Sequence, residues 1–242
     1  MKSPSIPKNR LSVFIVGDDS LVDEYSEIAS GFNYAIIAPD KINSLKPIAG
    51  KISIALELSN LDLDRKKKNL TALDKALPET TAILSSSINV SALDQSQWIM
   101  MKHRLVGIAA LPTMIRNSIV EVSPTVYTNE SAVDVARKFF LSIKKDIAIV
   151  QDRVGMVLPR ILCQIINEAM FAVQQDVASP KDIDTAMRLG INYPSGPIEW
   201  GERIGFKQVY AVLDALHTDL GEERYRICPL LKEIAAAGKF WR

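Results

Sequence analysis

Residues 11–19 read LSVFIVGDD. A short apolar run rich in β-branched residues stops at Gly17 and gives way to acidic residues. That pattern predicts a buried strand delivered into a glycine turn. Asp18 to Ala29 then carries helix-forming residues, and Tyr34 to Ala38 (YAIIA) gives a second apolar run ending at Pro39 and Asp40. Working outward, the alternation continues. Ile52 to Leu58 predicts a third strand, Asp62 to Ala76 a charged helix, and Thr81 to Leu84 a fourth strand before the serines at 85–87. Leu105 to Ala110 and Ile119 to Val122 predict two more. Strands separated by helices predict a parallel, doubly wound sheet, because parallel neighbours need crossover connections.

The pattern changes near Gln151. From Val154, apolar residues recur at Val157, Leu158, Ile161, Leu162, Ile165, Ile166, Ala169 and Val173, the spacing of one helix face. Further helices are expected over Pro180 to Leu189, Phe206 to Leu216 and Leu230 to Ala237, with Gly190 as the stop of the first of them. No strand pattern continues beyond about residue 150. The chain therefore divides between Ile149 and Arg153 into an α/β part, residues 1–150, and an all-α part, residues 151–242.

Composition excludes several classes. The chain has 242 residues, 48% hydrophobic and 24% charged, which is ordinary for a folded protein and not for a disordered one. Net charge is +1, so no electrostatic footprint for nucleic acid or an anionic membrane is present. The basic run Arg65 to Lys68 lies beside Asp62 and Asp64 and is expected to be a solvated helix face. No apolar stretch is long enough for a membrane span and none has the form of a secretion signal. Cys163 and Cys228 form neither a disulfide framework nor a metal-ligand pattern. A reduced, cytoplasmic protein is expected.

The stretch 178–200 reads ASPKDIDTAMRLGINYPSGPIEW. Ser179, Pro180 and Asp182 have the cap, first-turn proline and first-turn acid of a helix start. The residues from Tyr193 to Pro197 force a tight connection. This string resembles the C-terminal pattern ASxxDIDxAMxxGxxYPxGPxE of the 3-hydroxyacyl-CoA dehydrogenases, and Asp152, Gly155, Arg160, Asn167, Glu168 and Ala169 match that family's preceding helix in part. The resemblance runs from about residue 52 to 240. It implies a Rossmann-like NAD-binding domain followed by a helical domain of the 6-phosphogluconate dehydrogenase C-terminal type. It also implies oxidation of 3-hydroxyacyl-CoA to 3-ketoacyl-CoA with NAD, and a homodimer formed through the helical domain.

Carried over residue by residue, the resemblance places the family's catalytic positions as follows. Gly107 to Val122 (GIAALPTMIRNSIVEV) aligns without a gap to the family's GxHFFNPxxxMxxVEV. Glu121 falls on the Glu that orients the catalytic His. The His position itself is Ala109, and the Asn of that motif is Pro112. The Asn of the next motif is Pro159, which reads as a first-turn helix proline. Ser85 matches the first Ser of the family's SNTSSL stretch. His103 and His217 are the two histidines, the first before a strand and the second near a helix end, and neither is expected to supply the missing base.

For the dinucleotide, a G-x-G-x-x-G turn lets backbone approach the diphosphate. Here its positions are Gly17, Asp19 and Val22, and Asp18 adds a second carboxylate where an anion is to bind. Asp40 lies where a ribose-binding acid is expected. Gly17 and Asp40 are thus the cofactor candidates, Glu121 and Ser85 the catalytic ones, with no metal. Three functions follow. The sequence favours a catalytically impaired or silent relative that keeps the dimerising helical domain and an acyl-CoA site. The alternative is an active NAD-dependent 3-hydroxyacyl-CoA dehydrogenase of fatty-acid metabolism. A third is different chemistry on the same scaffold with Glu121 as acid or base.

Overall fold

The computed structural model describes residues 11–37 and 45–238. Among these, seven strands form one sheet: β1 (Ser12–Gly17), β2 (Ala35–Ile37), β3 (Ile52–Leu58), β4 (Ala82–Ser86), β5 (Leu105–Ile108), β6 (Ile119–Pro124) and β7 (Asp146–Ile149). Their order is β2-β1-β3-β4-β5-β6-β7. All pairs are parallel except β5 with β6, which is antiparallel. The expected all-parallel sheet is corrected there, because β6 returns from β5 through a short connection with no crossover helix. β7 carries no apolar run that the sequence reading singled out; its residues are only partly buried at the sheet edge.

Helices α1 (Asp19–Gly31), α2 (Leu63–Ala76), α3 (Ala92–Ser96) and α4 (Glu130–Ser142) flank the sheet. Alternate residues of β1 feed opposite faces, as the two-residue period requires. Val13 and Ile15 pack with Leu21 and Tyr25 of α1 and Phe139 and Phe140 of α4. Phe14 and Val16 pack with Leu70 and Leu73 of α2 on the other face. Asp62 caps α2 by accepting from the Arg65 N–H at 2.8 Å. The basic run in that helix is not wholly solvated. Arg65, Lys67 and Lys68 are exposed, but Lys66 is buried and ion-paired to the buried Glu57 on β3.

Beyond residue 150 every element is helical: α5 (Leu158–Gln174), α6 (Pro180–Ile191), α7 (Pro197–Ile204), α8 (Phe206–Leu220) and α9 (Pro229–Ala237). Val154 joins this core but precedes α5, because Gly155 and Met156 both have positive φ and turn the chain into the helix. Ser179 caps α6, its Oγ accepting from the Asp182 N–H at 3.2 Å. Helix α6 runs past Gly190 to end at Asn192, whose left-handed conformation makes the C-cap. The connection after it contains α7, a helix absent from the sequence reading. Asp184 of α6 starts it by accepting from the N–H groups of Ile198 and Glu199 at 2.8 and 3.1 Å. A Cβ on Gly196 would stand 2.1 Å from the Asp184 carboxyl carbon, so only glycine lets that carboxylate reach the helix start. None of the described helices is long and apolar enough to cross a membrane.

Candidate functional site

The strand order reverses between β1 and β3, and in open α/β sheets ligands bind in the crevice outside the carboxyl ends at such a point. Gly17 has φ +149°, and a Cβ there would lie 2.3 Å from the Leu58 carbonyl carbon, so the β1 turn is tied closely to β3. Asp18 follows as the N-cap of α1. Its carbonyl accepts from the Leu21 and Val22 N–H groups, but its carboxylate makes no bond to its own helix. Instead Oδ2 accepts from the N–H groups of Asn60 and Leu61 at 3.0 and 3.2 Å, and from the Gln208 amide of α8 at 2.8 Å.

The bond to Gln208 belongs to a network. The Asn60 amide donates to the Ala110 carbonyl and to Gln208 Oε1, at 2.8 and 3.1 Å. Ser86 Oγ donates to Asn60 Oδ1 at 2.6 Å. Asp18, Asn60, Ser86 and Gln208 are all buried. Residues just beyond β1 and β3, the last residue of β4 and a residue of α8 therefore meet in one satisfied polar cluster, the form in which buried polar groups are tolerated.

The same geometry tests the fit of a dinucleotide. A diphosphate is to meet the start of α1, yet a buried carboxylate is fixed there by its bonds to the Asn60 and Leu61 amides, and the second glycine position holds the exposed Asp19. The residues at the Gly17 turn do not fit a diphosphate. Asp40 lies outside the described residues.

The catalytic candidates fall in separate places. Ala109 is buried, and it belongs to one apolar cluster with Ile88, Leu111, Met114, Val154 and Met156. The Glu121 carboxylate accepts from the Val157 and Leu158 N–H groups at 2.8 and 2.7 Å, capping α5, while its carbonyl accepts from the Ala109 N–H. Pro159 is in the first turn of α5, where its missing N–H costs nothing. Ser85 is buried in β4, where Lys66 donates to its hydroxyl at 3.2 Å and Glu57 Oε2 lies 3.4 Å away. Its network is distinct from that of Glu121. His103 stands at the amino end of β5 with Glu79 3.5 Å away, and His217 is exposed near the end of α8. Among the described residues no three His, Cys, Asp or Glu are grouped to hold a metal.

A cleft of about 880 Å³ opens beside the polar cluster, between the β3 and β4 exits and the helices α8 and α9. Its floor is apolar, with Val90, Val154, Ala211 and Ala215, and its rim carries Lys207 and Lys232 against Asp94, Asp214 and Asp219. Desolvation, then the neighbouring Asp214, hold the Tyr210 hydroxyl above its ordinary pKa. Apart from Val154, which opens the apolar stripe leading into α5, these cleft residues were not singled out from sequence. The available signal was the spacing of Lys207, Ala211, Asp214 and Thr218 on one face of α8.

Comparison with known proteins agrees with this architecture. Residues 155–242 match the family described as 3-hydroxyacyl-CoA dehydrogenase, C-terminal domain. The 3-hydroxyadipyl-CoA dehydrogenase of Escherichia coli is 30% identical over 188 residues, 78% of this chain and 37% of that protein. The 3-hydroxybutyryl-CoA dehydrogenase of Bradyrhizobium diazoefficiens is 27% identical over 203 residues, 84% of this chain and 68% of that protein. The chain thus spans little more than a third of the first relative's length. The crystal structure of M. tuberculosis FadB2 superposes with a TM-score of 0.83 at 17% identity, covering 95% of this chain and 94% of that one, a likeness of fold.

Proposed function

Because the chain belongs to the 3-hydroxyacyl-CoA dehydrogenase family, we propose that it works on 3-hydroxyacyl-CoA or 3-ketoacyl-CoA thioesters held in the cleft between sheet and helices. The observation that carries this reading is the cleft itself, a large pocket with an apolar floor and two lysines at its rim, walled by α8 and α9 within the residues that match the family's C-terminal domain. Lys207 and Lys232 would hold the phosphates of the CoA moiety, and the floor would take the acyl chain.

The relatives' names are those of hydroxyacyl-CoA dehydrogenases and favour oxidation of the hydroxyl to the ketone, for which a nicotinamide dinucleotide would be the hydride acceptor. Turnover in this chain calls for a proton acceptor other than residue 109 and a dinucleotide seat other than the Gly17 turn. Tyr210 and Asp214, one turn apart on α8, are two titratable groups that touch each other on the cleft wall. A second reading, thioester binding without oxidation, is favoured by two features of this chain. Ala109 leaves the general-base position apolar, and losing a positioned base typically costs on the order of 10²–10⁴-fold in rate. Asp18 stands in the diphosphate seat. Pairing of two copies through the helical region completes the proposal, supported by α6, which buries no residue and leaves Leu189 and Ile191 exposed.

The experiment is NADH oxidation with acetoacetyl-CoA, run beside calorimetric titration of the same thioester. Saturable binding with turnover gives the dehydrogenase. Binding alone gives the second reading, and absence of both sinks the thioester assignment.

A further inference from the structure

In a doubly wound fold the N-terminus of the first helix, at the switch point, receives a ligand's phosphate. In this chain an anion belonging to the protein stands there. Asp18 Oδ2 accepts from two consecutive N–H groups, those of Asn60 and Leu61, and from a side chain of the helical region, Gln208. A buried carboxylate is thereby fixed at the start of α1. We infer that Asp18 and Gln208 form a latch between sheet and helices, and that Asp18 is the residue that excludes the diphosphate of a nicotinamide dinucleotide from the Gly17 turn.

Three effects act together. The carboxylate is held at the start of α1, in the place where a phosphate is to sit. Its charge repels a second anion placed beside it, more strongly in a buried site than in water. Displacing it leaves the N–H groups of Asn60 and Leu61 and the Gln208 amide nitrogen without their acceptor. The exclusion is local, because the cleft lies on the far side of Asn60 and stays open. The inference rests on the fold and this cluster, and is independent of the thioester reading.

The test uses the full chain with NADH and, separately, ADP as probes, followed by fluorescence and calorimetry. Wild type is compared with Asp18→Gly, Asp18→Asn and Gln208→Ala. Removing the carboxylate should give both probes a site at least about tenfold tighter than any that wild type shows. Gln208→Ala should give a smaller gain, since it opens the latch and keeps the charge. Should Asp18→Gly fail to fold, the isosteric Asn variant decides. Wild type binding either probe as tightly as the variants overturns the inference, and so does a folded Asn variant that gains nothing. A parallel titration of wild type with acetoacetyl-CoA keeps the two proposals apart: no thioester binding with a gain for NADH leaves the latch standing and removes the other.

Discussion

Asp184 in the helical region and Asp18 at the sheet make the same local structure with opposite consequences. Each carboxylate reaches across a chain turn to two consecutive backbone N–H groups, Ile198 and Glu199 in one case, Asn60 and Leu61 in the other. Each depends on a close backbone approach at a glycine, Gly196 or Gly17. The first lies within the stretch that keeps the family pattern, and there the carboxylate joins two helices. The second lies where the family pattern is lost, and there the carboxylate ties the β1 turn to the residues after β3 and fixes a charge at the start of α1. A pair of adjacent amides accepts any anion of suitable reach. Which anion fills it decides whether the pair is architecture or a binding site.

The comparison breaks most visibly at Gly196. A Cβ placed there overlaps the Asp184 carboxyl group, so Gly196→Ala must expel the cap and shift α7. Steric strain and cap loss together should lower stability by about 3 kcal/mol, read from the urea midpoint. A loss below about 1 kcal/mol would show that the corner yields easily, and that Asp184 is not what holds it.

Glu121 sharpens the comparison on the sheet side. It is a third carboxylate on two consecutive amides, those of Val157 and Leu158, at the start of α5. As a cap it is expected to contribute about 1 kcal/mol, so Glu121→Gln should cost that much in thermal or urea unfolding. Its acetoacetyl-CoA affinity should stay at the wild-type value. A rate of NADH oxidation that vanishes with this substitution, while affinity and fold persist, would instead place Glu121 in the chemistry.

Much of the fold could be read from residue patterns because the forces involved are local. The apolar runs of β1 and β3, the Ser179 cap and the stripe of α5 each announce themselves within a few residues. Helix α7 did not, since Tyr193 to Pro197 reads as a turn unless the capping carboxylate thirteen positions before Pro197 is known to reach it. Lys66 looked solvated for a similar reason: its partner Glu57 is on the strand before it, and only packing reveals that both are buried. The site was legible mainly as loss. Ala109 and the acidic residues after Gly17 were visible in the sequence as departures from a pattern. What replaced the lost functions was not visible, because Asp18 meets Gln208 across 190 positions of chain. Ser85 was singled out by motif position, yet its environment is set by Lys66 and Glu57.

The smallest expected effect concerns the helical core that the Asp184 corner closes. Cys163 and Cys228 are both buried there, and burial pushes each thiol pKa upward. Thiolate is the reactive form, so a water-soluble disulfide reagent should modify neither cysteine in the native protein and both after denaturation. Reaction then requires the core to open, and its rate reports how often that happens. Gly196→Ala should raise that rate, because α7 packs against α5 and Gly201 of α7 lies against Phe206 and Ile166. Asp18→Asn should leave it unchanged, since the latch joins the sheet to α8 and does not close the helical core. Equal acceleration by both variants would mean that sheet and helices open as one cooperative unit, and the two carboxylates would then differ in position but not in what they hold together.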